Sequence, residues 1–188
     1  SLYESTETLN LTLSNVQNAS VAITSNVGSI LNDDQPPTIS IGDVESNEAG
    51  ALNFTISLNA ESAVNVTGVL STTGFSAVSG TDFVPLNNKA FTITAGSQTT
   101  SVQVNLVDDL LYEASESLTA TLGNLSNATA GSLSARGTIL DNDAMHHLSI
   151  NDVSANESSN RITFTLSINT ISEVDVTGLA YTSGESAT

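Results

Sequence analysis

The feature that most constrains this chain is an internal repeat. LYESTETLNLTLSN at residues 2–15 returns as LYEASESLTATLGN at 111–124, and GSILNDD at 28–34 returns as GTILDND at 137–143. Both pairs are separated by 109 residues, and the register runs without a gap from 2–49 against 111–158. FTISLN at 54–59 then matches FTLSIN at 164–169 at a spacing of 110, so a single residue is inserted between. A period of this length is far too long for a solenoid turn and has the size of a small sandwich domain. Residues 1–34 read as the C-terminal part of one unit, 35–143 as a complete unit, and 144–188 as the N-terminal part of a further one.

Within the complete unit apolar and polar residues alternate. Phe54, Ile56 and Leu58 do so, as do Val64 and Val66, Phe91 and Ile93, then Val102, Val104 and Leu106, and Leu118, Ala120 and Leu122. Period two over short runs broken by Gly, Asn and Ser predicts half-buried antiparallel strands, and no stretch has helical spacing. Seven strands are expected near 38–42, 51–59, 63–71, 89–94, 98–107, 116–123 and 134–140. Seven short strands in a unit of this size predict an all-β, two-sheet, immunoglobulin-like sandwich, repeated in tandem. Leu9 and Leu118 occupy the same place in their units and should be equivalent in the core.

Strand parity then locates the acids. If seven strands run alternately up and down, the first–second, third–fourth and fifth–sixth connections share one tip with the end of the seventh strand. Glu48, Asp82, Asp108, Asp109, Glu113, Glu116, Asp141 and Asp143 all fall there, while only Asp43, Glu45 and Glu61 of the unit's acids fall elsewhere. Crowded carboxylates oppose folding, and a divalent cation removes the conflict. Ca²⁺ accepts roughly six to eight oxygens in irregular geometry, whereas Mg²⁺ favours one or two carboxylates with retained water and zinc favours His or Cys. No EF-hand loop is present.

SGTDFVPL, FTITAGSQTTSVQVNLVDDLLYEASESLTATLGN and GTILDND together resemble successive signatures of the Calx-β repeat family, found in sodium–calcium exchangers, an integrin β subunit and large bacterial surface proteins. The resemblance implies a sandwich with a Ca²⁺ cluster at one tip. It carries ligand roles to Glu48, Asp82, Asp108, Asp109, Glu113, Glu116, Asp141, Asp143 and the carbonyl of Leu111. In the first unit it implies Glu4, Glu7, Asp33 and Asp34, and in the third Glu157. The sequence departs from the family pattern at Leu110, where a third acid is common, and at Asn142 and Asn32 within the closing triplets.

Other classes are excluded by composition. The net charge is −17, with Lys89, Arg136 and Arg161 as the cations, so nucleic acid and anionic membrane surfaces are not expected partners. There is no Cys, hence no thiol catalysis and no thiolate metal site. No apolar run of membrane-spanning length and no leader segment occurs within this sequence. Aromatics make up 4% of the chain, too few for the platforms of a carboxylate-pair glycosidase, and catalysis is not expected. The adjacent His146 and His147 read as an exposed linker, and Tyr3 and Tyr112 as core anchors. Acidity, missing Cys and abundant Ser, Thr and Asn lean towards the exterior of a microbial cell.

The expected role is a calcium-stabilised stalk, filament or adhesin shaft. Its partners are the neighbouring repeats and, if arrays bundle, other copies of the chain. The alternative is a Ca²⁺-sensing regulatory domain of the exchanger kind. Asp43 and Asp152 are further candidates to reach a junction from the following unit.

Overall fold

The computed structural model describes residues 2–184; Ser1 and the last four residues, which belong to the outer two units as read above, lie outside the described residues. All regular structure among the described residues is β. Strands β3 (Thr38–Ile41), β4 (Val44–Asn47), β5 (Ala51–Leu58), β6 (Val66–Gly74), β7 (Lys89–Ile93), β8 (Thr99–Asn105), β9 (Glu116–Ser126), β10 (Thr129–Ala130) and β11 (Ser134–Leu140) form the central sandwich. Its sheets run β10-β3-β5-β8 and β4-β11-β9-β6-β7.

The alternation read from sequence is what closes the core. Leu52, Phe54, Ile56 and Leu58 of β5, Val66 and Leu70 of β6, Val102 and Val104 of β8, and Leu118, Ala120 and Leu122 of β9 all point inward and are buried. Phe83 adds a fully buried ring from the β6–β7 connection. Truncating a ring of this kind to Ala costs about 3–5 kcal/mol.

Each of the seven expected strands has a counterpart, with two additions. After β3 the chain crosses at Gly42 and Asp43 to the other sheet, where β4 pairs parallel with β11. β10 makes a two-residue parallel pairing with β3. Neither carries the alternation that marks a strand in sequence: β4 is Val-Glu-Ser-Asn and β10 is Thr-Ala. Both are edge pairings held by backbone hydrogen bonds.

Two hairpins flank the sandwich. β1 (Glu7–Thr12) pairs with β2 (Ser25–Ile30), and β12 (Leu148–Ile150) with β13 (Leu166–Ile168). Glu7↔Ile30 and Leu9↔Gly28 have the register of Glu116↔Ile139 and Leu118↔Gly137. Leu148↔Ile168 likewise has that of Ile39↔Leu58. Leu9 is nevertheless 53% exposed where Leu118 is fully buried, because no second sheet among the described residues covers β1 and β2.

Candidate metal centre

Parallel pairing carries Glu48 to the tip. In the β4–β11 register Asn47 lies opposite Leu140, so the next residue of each strand, Glu48 and Asp141, leave the sheet side by side. The Glu48 N–H donates to the Leu140 carbonyl at 3.1 Å. Ligand-capable oxygens of Glu48, Asp141 and Asp143 lie within 4.8 Å of one another. Glu48 is only 4% exposed, and its Oε1 and Asp143 Oδ2 are buried with no hydrogen-bond partner. Burial first, and the neighbouring Asp143 and Asp141 next, push the Glu48 carboxyl up to about 7, against a backbone hydrogen bond at Asn142 that acts the other way.

A second knot forms from the other two connections. Gly80, at φ +89°, turns the β6–β7 connection so that Phe83 enters the core and Asp82 stays at the rim. Asp82 Oδ2 accepts from the Val78 N–H, and the Asp82 carbonyl accepts from Val107 at 3.0 Å. That bond ties the β6–β7 loop to the start of the β8–β9 loop. There Asp109 Oδ1 accepts from the Leu111 N–H at 2.7 Å, an Asx turn that folds the acidic segment back on itself. The Ser117 carbonyl accepts from the N–H groups of Phe75, Ser76 and Ala77, which fastens the loop beside Glu116.

The two knots meet where Asn142 Nδ2 donates to Asp108 Oδ1 at 3.3 Å. Burial first, and then Asp82, Glu113 and Glu173, push Glu116 up to about 8. Burial and then Glu173, Asp109 and Asp82 push Glu113 up to about 7.

Glu48, Asp141 and Asp143 converge, and Asp82, Asp109, Glu113 and Glu116 lie together beside them, with Asp108 between. Leu111 sits within the acidic turn. In the first unit the Glu4 N–H donates to Asn32 Oδ1 at 3.3 Å, as does that of Asp34, while Glu7 opens β1 opposite Ile30 and Asp33 is exposed. Glu157 occupies the same turn position as Glu48 but is exposed, since the described residues include no strand playing the part of β11 beside it.

Three expectations are corrected. Asp43 does not reach a junction: its Oδ1 accepts from the Arg136 N–H at 2.7 Å within its own sandwich. It follows β3, so a four-residue strand of about 13 Å separates it from the link to the preceding unit. His146 is not a free linker residue: it is half-buried, its ring stands edge-on to Tyr112 at 5.6 Å, and its Nδ1 lies 2.6 Å from Thr170 Oγ1. Tyr3 and Tyr112 are half-buried and make isolated bridges to Ser62 and Ser172 instead of anchoring a core. The residue missed altogether is Glu173. Strand parity held its signal, because it puts the second–third connection of one unit at the end facing the preceding unit's acidic tip.

The donor set is all oxygen, with no Cys in the chain and no His in the carboxylate cluster. It contains orphaned buried oxygens and carboxyls pushed up by burial and then by one another. This is the chemistry of a hard divalent cation such as Ca²⁺.

The sequence model of the Calx-beta domain matches residues 32–143. Among solved structures, the apo-form Calx CBD1 domain is similar at a TM-score of 0.52 and 18% identity, over 58% of this chain and 100% of its own. CBD12 from CALX1.2 gives 0.52 and 20%, and the calcium binding domain CBD12 of CALX1.1 gives 0.51 and 22%; each match covers 56% of this chain and 44% of the other. At these identities the likeness is one of fold. No curated protein matches the chain.

Proposed function

The chain belongs to the Calx-beta domain family, and from that premise we propose that its acidic tip binds Ca²⁺ and that the bound ions stiffen a tandem array of such units. The observation that carries the calcium reading is the convergence of Glu48, Asp141 and Asp143, with Glu48 Oε1 and Asp143 Oδ2 buried and unpartnered. An orphaned buried carboxylate oxygen costs folding energy unless a partner arrives. Glu48, Asp141, Asp143 and Asp108 would hold one group of ions, and Asp82, Asp109, Glu113 and Glu116, with the Leu111 carbonyl, another. The ion supplies positive charge that cancels the repulsion.

The array reading is supported by the sequence period and by the flanking hairpins, whose registers match those of the sandwich. Units are read as 1–34, 35–143 and 144–188. The links between them are about four residues, and one contains Pro36 and Pro37, so neighbouring units sit tip to tail. Strands of ten residues rise about 33 Å, so units would recur every roughly 40–50 Å along a rod. Acidity and the absence of Cys favour an extracellular, non-catalytic shaft on a microbial surface, with adjacent repeats, and laterally other copies, as its partners.

A second reading, a calcium-sensing regulatory domain, draws at least equal support from the fold, which is shared with a calcium binding domain of CALX1.1. Affinity separates the two: dissociation constants of about 10⁻⁷–10⁻⁵ M suit a sensor and about 10⁻⁴–10⁻³ M an extracellular module. Calorimetric titration of the chain with CaCl₂, with small-angle scattering in Ca²⁺ and in chelator, tests the proposal. Saturable heat and a longer, narrower particle in Ca²⁺ are expected; no heat and an unchanged particle would overturn it.

A further inference from the structure

The two links between units share a contact that neither the family nor the carboxylate cluster explains. Tyr3 makes an isolated parallel β-bridge to Ser62, and Tyr112 makes the same bridge to Ser172. The partners are offset by 109 and 110 residues, the period of the sequence itself. At the first link the Tyr3 carbonyl accepts from the Ala63 N–H at 2.9 Å.

The serine prepares this contact. Ser62 Oγ donates to the Val64 carbonyl at 2.9 Å and accepts from the Val64 N–H at 3.2 Å; Ser172 does the same with Val174 at 2.8 and 3.2 Å. A hydroxyl that closes on the residue two positions on pinches the turn and leaves the intervening N–H facing outward. A second pair supports it from behind: Asn59 Oδ1 accepts from the Thr38 N–H, and Asn169 Oδ1 from the His147 N–H, both at 2.7 Å. The same bridge, with the same serine and asparagine hydrogen bonds around it, therefore recurs at both links.

The links differ in one respect. Ala63 follows the bridging serine at the first, and Glu173 at the second. The Glu173 carboxyl lies against Glu113 and near Glu116, acids of the preceding unit. Glu61 precedes Ser62 where Ile171 precedes Ser172, so each turn carries one acid, and both acids are exposed. Tyr112, His146 and Thr170 complete the second link.

We propose that the tyrosine turn of each unit is a docking surface for the serine turn of the next copy of the repeat. The contact is a backbone joint that forms without metal, with Ala63 beside the bridging serine at one link and Glu173 at the other. It does not depend on the calcium reading above.

The chain has no Cys, so cysteine pairs can be introduced for spin labels. Thr8→Cys with Gln103→Cys spans the first joint, and Gln103→Cys with Ser149→Cys the second. Distance distributions are measured on the whole chain in chelator and in Ca²⁺. Ala63→Pro and Glu173→Pro, which remove the outward N–H, should each broaden the distribution across their own joint and leave the other unchanged. Glu173→Ala keeps the N–H and should leave both distributions unchanged in chelator. If both proline variants leave the distributions as they were, the joint is not a docking contact. If Glu173→Ala broadens the second distribution as Glu173→Pro does, the joint is not made by the backbone N–H. If calorimetry finds no calcium binding, the calcium reading falls, while the proline variants still decide the joint.

Discussion

At the scale of single residues, Glu48, Glu113 and Glu116 are where burial and charge conflict. Their carboxyls are pushed up to about 7, 7 and 8 from an ordinary 4.5, burial being the leading cause in each. Without metal, the folded chain holds protons at these sites that the unfolded chain has already lost. Stability is therefore greatest below the ordinary carboxylate range and declines as pH rises from about 4.5 to 8. A melting series in chelator should show Tm falling over this interval, and saturating CaCl₂ should flatten the slope. A melting temperature in chelator that rises across the same interval would contradict the crowding.

Glu48→Gln tests the most buried of the three. The amide keeps the shape but cannot ionise, so in chelator at pH 8 the variant should melt higher than the native chain. It should also lose much of the stabilisation that Ca²⁺ gives. Scanning calorimetry of the pair, with and without the ion, reads both effects.

Among elements, β11 does two jobs. Its outer edge receives β4 and so delivers Glu48 to Asp141, and its inner face lets the sheets close. Closure depends on Gly137: a Cβ there would meet Leu52 Cδ1 at 2.7 Å and Phe54 Cζ at 2.9 Å. Both neighbours are fully buried and have no room to yield. Gly137→Val should cost about 1–3 kcal/mol by overpacking, read as a lower midpoint in urea. Because β4 rides on the same strand, the variant should weaken Ca²⁺ binding as well. Unchanged stability would mean that the sheets are looser at this point than their packing indicates.

For the whole molecule the question is what a bound ion does beyond its own tip. A ligand that binds only the folded state stabilises it by about 2.7 kcal/mol at a free concentration 100 times its dissociation constant. For a unit of this size that is a rise in Tm of roughly 10–20 °C. If the ions also act across the link, the melting of the whole chain should sharpen in Ca²⁺, because the units then unfold together. A shift in Tm without sharpening would confine the ion's effect to a single unit.

Sequence alone determined the fold class, since alternation is a property of nearest neighbours and each buried apolar position of β5, β8 and β9 is visible as one apolar residue among polar ones; in β9 the buried Ser117 is the position that the pattern does not mark. It also determined which connections the acids occupy, because strand parity needs only a count of strands. The tertiary structure decided the rest. β4 carries a single apolar residue, so the parallel pairing that buries Glu48 leaves no pattern to read. Asp43 looked equivalent to any other acid near a strand end until the backbone of Arg136 claimed it. Leu9 and Leu118 have the same surroundings in sequence, yet only Leu118 is covered. Edge pairings are made by backbone N–H and carbonyl groups, of which proline alone lacks the N–H, so side-chain identity does not encode them. They exist only once the chain has brought those groups together in space.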